Sequence, residues 1–308
     1  MKKILVVGLG LIGGSLAMAL RGFEDFEVVG AVRSQSTYSK AAERHAANRL
    51  TFDPAGELPG ADVVVLCQDP AGIIGFLREH RDRFKPGCLI WDVCGVKTAV
   101  MEAAQCLPAG VDFIGCHPMA GKEVSGIDNA EGTLFRNTHF IVTPGPAATA
   151  EHLELLRRMA DHCRFGDVII TTPERHDEMI AYTSQLMHVI AVSVCADEGL
   201  FSCKGFEGGS FRDCTRVAAL DPAMWTQLFT LNAPALCQVV GALEERLRQY
   251  RQAIETGDRE ALSAMLACAS GRKSRSTWSG PGATTCAPPS DRPYQAVFPQ
   301  PSMETLPL

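Results

Sequence analysis

A histidine followed by a charged segment is the first feature of this sequence that could carry chemistry. His117 opens the run HPMAGKE at residues 117–123, directly after an apolar stretch that predicts a strand. Such a histidine can act as a general base, because its ordinary pKa of about 6.5 lies close to neutral pH. The alternative is a structural histidine that caps the strand through backbone hydrogen bonds.

Two further polar groups lie in the part of the chain that predicts helices. Ser184 and His188 are four residues apart, so both lie on one helix face, where apolar neighbours oblige them to find partners or a cavity. Asp213 and Arg216 follow the glycine-rich run GGSF at 208–211, and the guanidinium could bind a carboxylate through two hydrogen bonds. The alternatives are a core histidine with satisfied hydrogen bonds at 188 and an internal ion pair between Arg216 and Asp213.

A glycine-rich turn near the N-terminus indicates a different kind of site. It has the spacing G-x-G-x-x-G and consists of Gly8, Leu9, Gly10, Leu11, Ile12 and Gly13. The first glycine allows a tight turn, the second lets the backbone approach a pyrophosphate, and the third lets the helix pack close to the strand. The free N–H groups of the helix start then favour phosphate. A glycine turn with a purely structural role is the alternative, and the placement between a strand and a helix disfavours it.

The end of the second predicted strand bears on the choice of dinucleotide. It lacks the carboxylate that ordinarily binds the ribose hydroxyl of NAD, and Arg33 and Ser34 could hold a 2′-phosphate instead. This favours NADP over NAD without excluding NAD, since Arg33 could also stack on adenine or point to solvent. The cofactor assignment also includes Gln68 and Asp69, directly after the third apolar run.

The elements that must position these residues follow a regular pattern over the first 172 residues. Seven short apolar runs predict strands at 3–7, 26–32, 61–67, 88–93, 113–116, 139–143 and 167–171. Helical stretches separate most of them, at 12–21, 38–48, 71–83, 97–106 and 148–163. Continuous apolar strands alternating with helices predict a mostly parallel sheet covered on both faces, which is a doubly wound α/β Rossmann domain.

The predicted strands then give way to helices. Residues 174–199 predict one long helix, 221–256 a second helical region and 258–268 a short last helix. Together they predict an all-α domain over 173–270. The segment 271–308 holds seven prolines and no periodic apolar pattern, so we expect it to be disordered.

Composition excludes several classes of protein. The chain has 308 residues, enough for about two domains, and a net charge of −6 without a basic stripe, so neither nucleic acid nor an anionic membrane is an expected partner. Twelve cysteines without a CxxC pair or zinc-ligand spacing predict reduced thiols in the cytoplasm and no metal.

The N-terminal segment has an alternative interpretation. Lys2 and Lys3 precede an apolar run over 4–20, which is also typical of a secretory signal. The glycine spacing favours the nucleotide-binding turn, and no other stretch predicts a membrane span.

Several motifs, in this order, resemble the prephenate dehydrogenase family from about residue 3 to 268. They are GLGLIGGS at 8–15, DVCGVK at 92–97, HPMAGKE at 117–123, the pair His176-Asp177, SQLMH at 184–188 and GGSFRDCTRVA at 208–218. The resemblance implies oxidative decarboxylation of prephenate to 4-hydroxyphenylpyruvate with NAD(P). It implies that His117 bonds the ring hydroxyl of the substrate and takes its proton.

The resemblance also implies substrate-binding roles. His188 and Arg216 are expected to contact substrate carboxylates, with Ser184 and Glu123 in the same pocket. Glu123 is expected to orient or gate Arg216, and Asp213 to hold that arginine in place. Long apolar helices, more than one small bundle would bury, and the resemblance together predict a homodimer through the helical domain.

Two departures from the family pattern affect the expected site. Cys94-Gly95 stands where the family often has Gly-Ser, so a hydroxyl that would orient the histidine or the substrate is missing. Gln185 stands where many relatives carry a second histidine. Arogenate, with an amine in place of the ketone, is an alternative substrate.

Two alternative functions use the same architecture. A β-hydroxyacid dehydrogenase usually relies on a lysine in its helical domain, and the 174–199 segment contains none. A nucleotide-sensing protein would bind the cofactor without turnover.

Overall fold

An eight-stranded sheet forms the centre of the computed structural model, which describes residues 1–275. The strands are β1 (Lys2–Val7), β2 (Phe26–Ala31), β3 (Arg49–Thr51), β4 (Val63–Leu66), β5 (Leu89–Asp92), β6 (Asp112–Pro118), β7 (Phe140–Pro144) and β8 (Val168–Ile170). Their order is β3-β2-β1-β4-β5-β6-β7-β8. All neighbouring strands are parallel except β6 and β7, which are antiparallel.

Helices cover both faces of this sheet, because successive residues of the buried strands point to opposite sides. Along β1, Ile4 and Val6 belong to one hydrophobic cluster, whereas Leu5 and Val7 belong to the other. A strand that is apolar on both faces must be covered on both. The predicted Rossmann-type sheet followed by helices is therefore confirmed.

The helices of the α/β part connect the strands in sequence. They are α1 (Leu11–Leu20), α2 (Gln35–Glu43), α3 (Pro54–Glu57), α4 (Pro70–His80), α5 (Thr98–Ala104) and α6 (Ala150–His162). The later helices are α7 (Pro173–Ile180), α8 (Leu186–Cys195), α9 (Gly209–Thr215), α10 (Pro222–Leu231), α11 (Ala233–Thr256) and α12 (Arg259–Arg275). A π-helical turn over Ala181–Gln185 joins α7 to α8.

The sheet differs from the sequence prediction at two strands. The short strand β3 was not predicted, because its three residues are half-buried or exposed and carry no apolar run. The antiparallel direction of β7 was not predicted either. The segment between β6 and β7 contains only a short 3₁₀ turn at Ile127–Asn129, whereas the crossover between two parallel strands is usually an α-helix.

The helical part also differs in detail. The predicted single helix over 174–199 contains the π-helical turn and ends at Cys195, and the region 221–256 is interrupted at Asn232. Helix α9 begins within the glycine-rich run at 208–211, for which no helix was predicted. Helix α12 continues through 271–275, which was predicted to be disordered, and the remainder of that predicted tail lies outside the described residues.

The contacts of the chain divide it at a different place from the predicted domain boundary at 172. Met1–Glu245 form one compact unit, and the second unit begins at Arg246. Helix α10 illustrates why the first unit is so large. Its Leu228 belongs to one of the two core clusters, and its Gln227 accepts a hydrogen bond from the backbone N–H of Ala71 in α4 at 3.0 Å.

Candidate active site

One edge of the sheet collects the residues that the sequence predicted for cofactor binding and catalysis. Gly8 follows β1, Arg33 follows β2, Gln68 follows β4, Cys94 follows β5, and His117 lies near the end of β6. These strands are parallel, so all five positions lie at their carboxyl ends, where doubly wound proteins bind ligands.

The glycine-rich turn has the geometry of a phosphate cradle. Gly8 has a φ of +96°, a conformation that favours glycine, and a Cβ at Gly13 would overlap the Gly8 carbonyl oxygen. A Cβ at Gly10 would meet no protein atom within 4 Å, so that position faces open space. Helix α1 begins at Leu11, and no side chain caps it, which leaves N–H groups of its first turn available to an anion. The turn therefore fits a dinucleotide pyrophosphate.

The side chains between these glycines do not face the cradle. Leu9 and Leu11 are buried, and Ile12 packs against the core of the sheet. Leu9 and Leu11 therefore offer a cofactor mainly their backbone, whereas the side chain of Ile12 is only partly buried.

Gln68 and Asp69 have different surroundings. The side-chain oxygen of Gln68 is buried without a hydrogen-bond partner among the described residues, and its Cγ lies beside Gly8. A buried acceptor without a protein partner at this edge fits a ligand that donates a hydrogen bond to it. Asp69 instead caps α4, because its carboxylate accepts the N–H of Gly72 at 2.7 Å.

Arg33 and Ser34 lie at the start of α2. The Ser34 hydroxyl caps this helix by accepting the N–H of Thr37 at 3.1 Å. Arg33 is exposed, and within residues 1–275 its guanidinium makes no hydrogen bond or ion pair. A free cation therefore stands next to a helix N-terminus, without a carboxylate among residues 31–36.

His117 is connected to a buried chain of hydrogen bonds, which we call the histidine relay: His117, His176 and Asp177. Nδ1 of His117 lies 2.9 Å from Nε2 of His176, and Nδ1 of His176 lies 2.8 Å from Oδ1 of Asp177. The Asp177 carboxylate also accepts the backbone N–H groups of Lys97 at 2.8 Å and of Thr98 at 2.9 Å. Asp177 in α7 therefore caps the start of α5 and anchors the relay.

A second buried network supports the backbone around His117. The ammonium of Lys97 pairs with Asp92 at the end of β5, and both side chains are fully buried. The Asp92 carboxylate also accepts the N–H groups of Cys94 and Cys116, each at 2.9 Å. Because Cys116 precedes His117 on β6, this network fixes the backbone that carries His117.

The charges of the relay follow from its burial. Burial lowers the pKa of His117 well below its ordinary value, repulsion from His176 and Lys97 lowers it further, and Asp177 opposes the shift in part. Burial also lowers the pKa of His176. For Asp177 burial acts to raise the pKa, but the hydrogen bonds from His176, Thr98 and Lys97 outweigh it and lower the pKa. At neutral pH both imidazoles are therefore neutral, and the carboxylate is charged.

His188 lies against an aromatic residue that the sequence analysis did not identify. Its ring is stacked on Trp225 of α10 with centroids 3.7 Å apart, and its Nδ1 lies 3.0 Å from the carbonyl oxygen of Ser184. Burial lowers the pKa of His188. Ser184 belongs to the π-helical turn, a feature that is frequent at functional sites, and its hydroxyl makes no hydrogen bond to another described residue.

Arg216 has a different partner from the one expected. It forms an ion pair with Glu123 from the segment after β6, and both side chains are about half exposed. The predicted support from Asp213 is wrong, because Asp213 is exposed and makes no ion pair with a described residue. Asp213 is close to Arg216 in sequence but does not pair with it. The carboxylate that reaches the guanidinium comes from Glu123 in the segment after β6.

The replacement of Gly-Ser by Cys94-Gly95 is accommodated without strain. Burial raises the pKa of the Cys94 thiol to about 12, so this cysteine is an inert apolar group. A Cβ at Gly95 would meet only the side chain of Leu228, at 3.5 Å, which is an ordinary van der Waals contact. The backbone therefore has room for the serine that this chain lacks.

Gln185 has a structural role. Its buried amide accepts a hydrogen bond from Nδ2 of Asn232 at 2.7 Å and donates one to the backbone oxygen of Leu228 at 3.3 Å. The same Asn232 amide donates to the backbone oxygen of Asp177 at 2.9 Å. This neutral pair joins the π-helical turn to the end of α10.

Residues 1–275 contain no group of three or more His, Cys, Asp or Glu side chains able to hold a metal ion. No helix in that part is long and apolar enough to span a membrane.

A dinucleotide cradle and a neutral histidine at one sheet edge, followed by helices that carry an arginine, are the working parts of a nicotinamide-dependent dehydrogenase. Comparison with known proteins narrows the class. The family model for the nucleotide-binding domain of prephenate dehydrogenase matches residues 16–170, and the model for the dimerization domain of prephenate dehydrogenase matches residues 172–268. The chain therefore belongs to the prephenate dehydrogenase family.

Individual relatives agree with this assignment. The chain is 30% identical over 275 residues to a prephenate dehydrogenase from Lactococcus lactis. This match covers 85% of this chain and 74% of the relative. The crystal structure of Synechocystis arogenate dehydrogenase is 32% identical with a TM-score of 0.75 and covers 88% of this chain and 99% of that one. A prephenate dehydrogenase from A. aeolicus in complex with hydroxyphenyl propionate and NAD+ is 25% identical with a TM-score of 0.79, over 89% of this chain and 98% of that one.

Proposed function

We propose that this chain is a prephenate dehydrogenase that converts prephenate and NAD(P)+ to 4-hydroxyphenylpyruvate, carbon dioxide and NAD(P)H. The observation that carries the proposal is His117. It is a neutral imidazole at the carboxyl edge of a dinucleotide-binding sheet, in a chain of this family. Oxidation of a ring alcohol requires a proton acceptor at the hydroxyl, and a neutral histidine can supply it.

The reaction divides the work between the cofactor and the chain. When bound, the oxidised nicotinamide supplies the hydride acceptor. His117 takes the hydroxyl proton, the ring carboxylate leaves as carbon dioxide, and its bonding electrons complete the aromatic ring. Aromatisation supplies the driving force, so the chain mainly orients the substrate and holds the proton. A positioned base contributes on the order of 10²–10⁴-fold to the rate of such a step.

Arg216 and His188 are the proposed substrate-binding residues, with Ser184 and Glu123 beside them. A guanidinium binds a carboxylate through two parallel hydrogen bonds, and Arg216 already holds the carboxylate of Glu123. The Ser184 hydroxyl has no partner among the described residues, so it is available to a ligand. We do not retain Asp213 in the substrate-binding set.

The proposed cofactor is NADP, with NAD as the second candidate. The proposal is supported by the free guanidinium of Arg33 beside the helix start that Ser34 caps, and by the missing carboxylate at the end of β2. Arg33→Ala is expected to raise the Michaelis constant for NADP by about 10-fold or more. This is the change that corresponds to the free energy of one charge-assisted hydrogen bond. The constant for NAD should change far less, and equal changes for both cofactors would refute a contact between Arg33 and the 2′-phosphate.

Arogenate is the second candidate substrate, supported by the 32% identity to the Synechocystis arogenate dehydrogenase. We also propose a homodimer through the helical part, supported by the match to a dimerization domain. Large apolar side chains of α7, the π-helical turn and α8 are exposed, namely Met179, Tyr182, Met187 and Val194. The proposed location is the cytoplasm, because the described cysteines are free thiols.

The test is an assay of reduced nicotinamide with prephenate or arogenate, each with NAD or NADP. We expect turnover with prephenate and faster turnover with NADP. Turnover only with arogenate would establish the second candidate substrate. Cofactor binding without turnover of either substrate would indicate a nucleotide-sensing protein, and reduction with a 3-hydroxyacid alone would indicate a β-hydroxyacid dehydrogenase.

A further inference from the structure

We propose that His176 and Asp177 are positioning residues that fix the tautomer of His117, so that its Nε2 carries a lone pair and can accept the substrate proton. The role of His117 as the base rests on the proposed function. The tautomer itself does not, because it follows from the hydrogen bonds of the protein without any substrate.

The direction of these hydrogen bonds follows from the acceptor at the end of the relay. An ionised carboxylate can only accept, and Asp177 accepts the N–H groups of Lys97 and Thr98 as well as the contact from His176. Nδ1 of His176 must therefore carry a hydrogen. A neutral imidazole has only one such hydrogen, so Nε2 of His176 is an acceptor.

The same reasoning then applies to His117. Because Nε2 of His176 accepts, Nδ1 of His117 must donate across the 2.9 Å contact. The single hydrogen of neutral His117 is thereby placed on Nδ1, and its Nε2 is left with a lone pair. Without the relay both tautomers of the ring would be populated, and the one with a hydrogen on Nε2 cannot accept a proton at that nitrogen.

The charged groups around the relay are consistent with this assignment. Lys97 is the lysine whose charge lowers the pKa of His117, and that charge is compensated by the buried pair with Asp92. Burial raises the pKa of the thiols of Cys94 and Cys116, so both are neutral. Asp177 is then the group that stabilises the positive charge when His117 receives a proton, as the carboxylate of a catalytic triad does for its histidine.

The relay also explains how this chain can lack a hydroxyl at residue 95. Gly95 has no side chain to orient His117, although its backbone would accept a serine. His176, which lies on helix α7, orients the His117 ring through the contact at Nδ1. The ring nitrogen that must stay unprotonated is thus set by a hydrogen bond from a helix and not by a hydroxyl from the loop after β5.

The experiment compares two substitutions of His176 in the full-length protein. His176→Asn keeps a polar atom near the Nδ1 position, facing Asp177, but removes the acceptor for His117. His176→Gln places an amide oxygen near the Nε2 position and can restore the acceptor. His152→Asn is the matched control, because His152 also pairs with an aspartate, Asp112, away from the site.

The first measurement is made without substrate, by ¹⁵N chemical shifts of labelled histidines. In the wild-type protein we expect a protonated Nδ1 and an unprotonated Nε2 for His117. In His176→Asn we expect a mixture of tautomers, and in His176→Gln a return toward the wild-type spectrum. A hydrogen on Nε2 of wild-type His117, or an unchanged spectrum in His176→Asn, would overturn the proposal.

The second measurement is the turnover number with the better substrate. For His176→Asn we expect a decrease on the order of 10²-fold, the lower part of the range for a positioned base, with an unchanged Michaelis constant for the cofactor. His176→Gln should recover part of the rate, and His152→Asn should retain it. If His176 had a purely structural role, its substitutions would lower the turnover number in proportion to the loss of stability. The tautomer of His117 would then stay unchanged.

The two proposals can fail separately. A wild-type protein without activity toward prephenate or arogenate would refute the proposed function, while the nitrogen shifts would still decide the relay. If His176→Asn does not fold, the spectrum of His176→Gln and of the wild-type protein decides it. Normal activity in a folded His176→Asn variant would refute the relay and leave the proposed function intact.

Discussion

Lys97→Met tests most directly whether the buried ion pair between Lys97 and Asp92 stabilises the backbone around the candidate site. Lys97 and Asp92 have fully buried side chains that contact each other, and Asp92 also accepts two backbone N–H groups. Methionine keeps most of the apolar stem of lysine, so packing changes little. The main effect is that a carboxylate remains buried without its counter-charge.

The magnitude follows from that unpaired charge. Removing one partner of a buried ion pair costs about 3–5 kcal/mol of unfolding free energy. Two N–H donors still solvate the carboxylate of Asp92, which places the expected value toward the lower end, about 3 kcal/mol. With about 2–4 °C per kcal/mol for a protein of this size, the melting temperature should fall by about 6–12 °C.

The assay is denaturant unfolding followed by circular dichroism, at one fixed protein concentration because association also adds to apparent stability. Lys40→Met is the matched control, since Lys40 pairs with Asp128 at the surface and both side chains are about half exposed. The control should lose less than about 1 kcal/mol. An equal, small loss in both variants would show that Asp92 does not depend on Lys97, and the described support of β5 and β6 would be refuted.

Three further predictions concern the proposed reaction. His117→Asn should leave cofactor binding, measured by fluorescence, nearly intact and reduce turnover by about 10²–10⁴-fold, and unchanged turnover would remove the histidine from its role. The lowered pKa of His117 means that its neutral, active form persists as the pH falls through about 6.5, so kcat/KM should lose activity only at a lower pH; an acid limb centred near 6.5 would contradict this. Arg216→Ala should mainly raise the Michaelis constant of the substrate, and a pure turnover defect with normal affinity would contradict its assignment.

Much of the fold could be predicted because its signals are local. Most strands of this sheet are continuous apolar runs, and seven of the eight were found in this way. The missing β3 (Arg49–Thr51) has no such run, because it lies at the sheet edge and is partly exposed. The π-helical turn at Ala181–Gln185 was missed because a single extra residue within a helix barely disturbs the periodicity of its apolar positions.

The candidate site could be predicted only in part, because its contacts join distant segments. His117 was found from its place after a strand, and Arg216 from its glycine-rich context. His176 and Asp177 were noted as a motif but given no role, since a contact with His117 requires α7 to pack beside β6. An aspartate at the end of a buried strand and a lysine five residues later were a usable signal for the Asp92–Lys97 pair.

The partner of Arg216 has a consequence for substrate binding under the proposed function. Glu123 holds one Nη of the guanidinium, so a substrate carboxylate that binds both Nη groups must exchange with a carboxylate that is already there. Such an exchange gains little from charge alone, since one ion pair replaces another of the same kind and both lie in partly exposed surroundings. Selection must therefore come from what Glu123 cannot offer, which is simultaneous contact with a second group such as Ser184 or His188. A substrate with one carboxylate at the wrong distance from its ring should compete poorly with Glu123, whereas prephenate, which carries two, can hold Arg216 and a second contact at once.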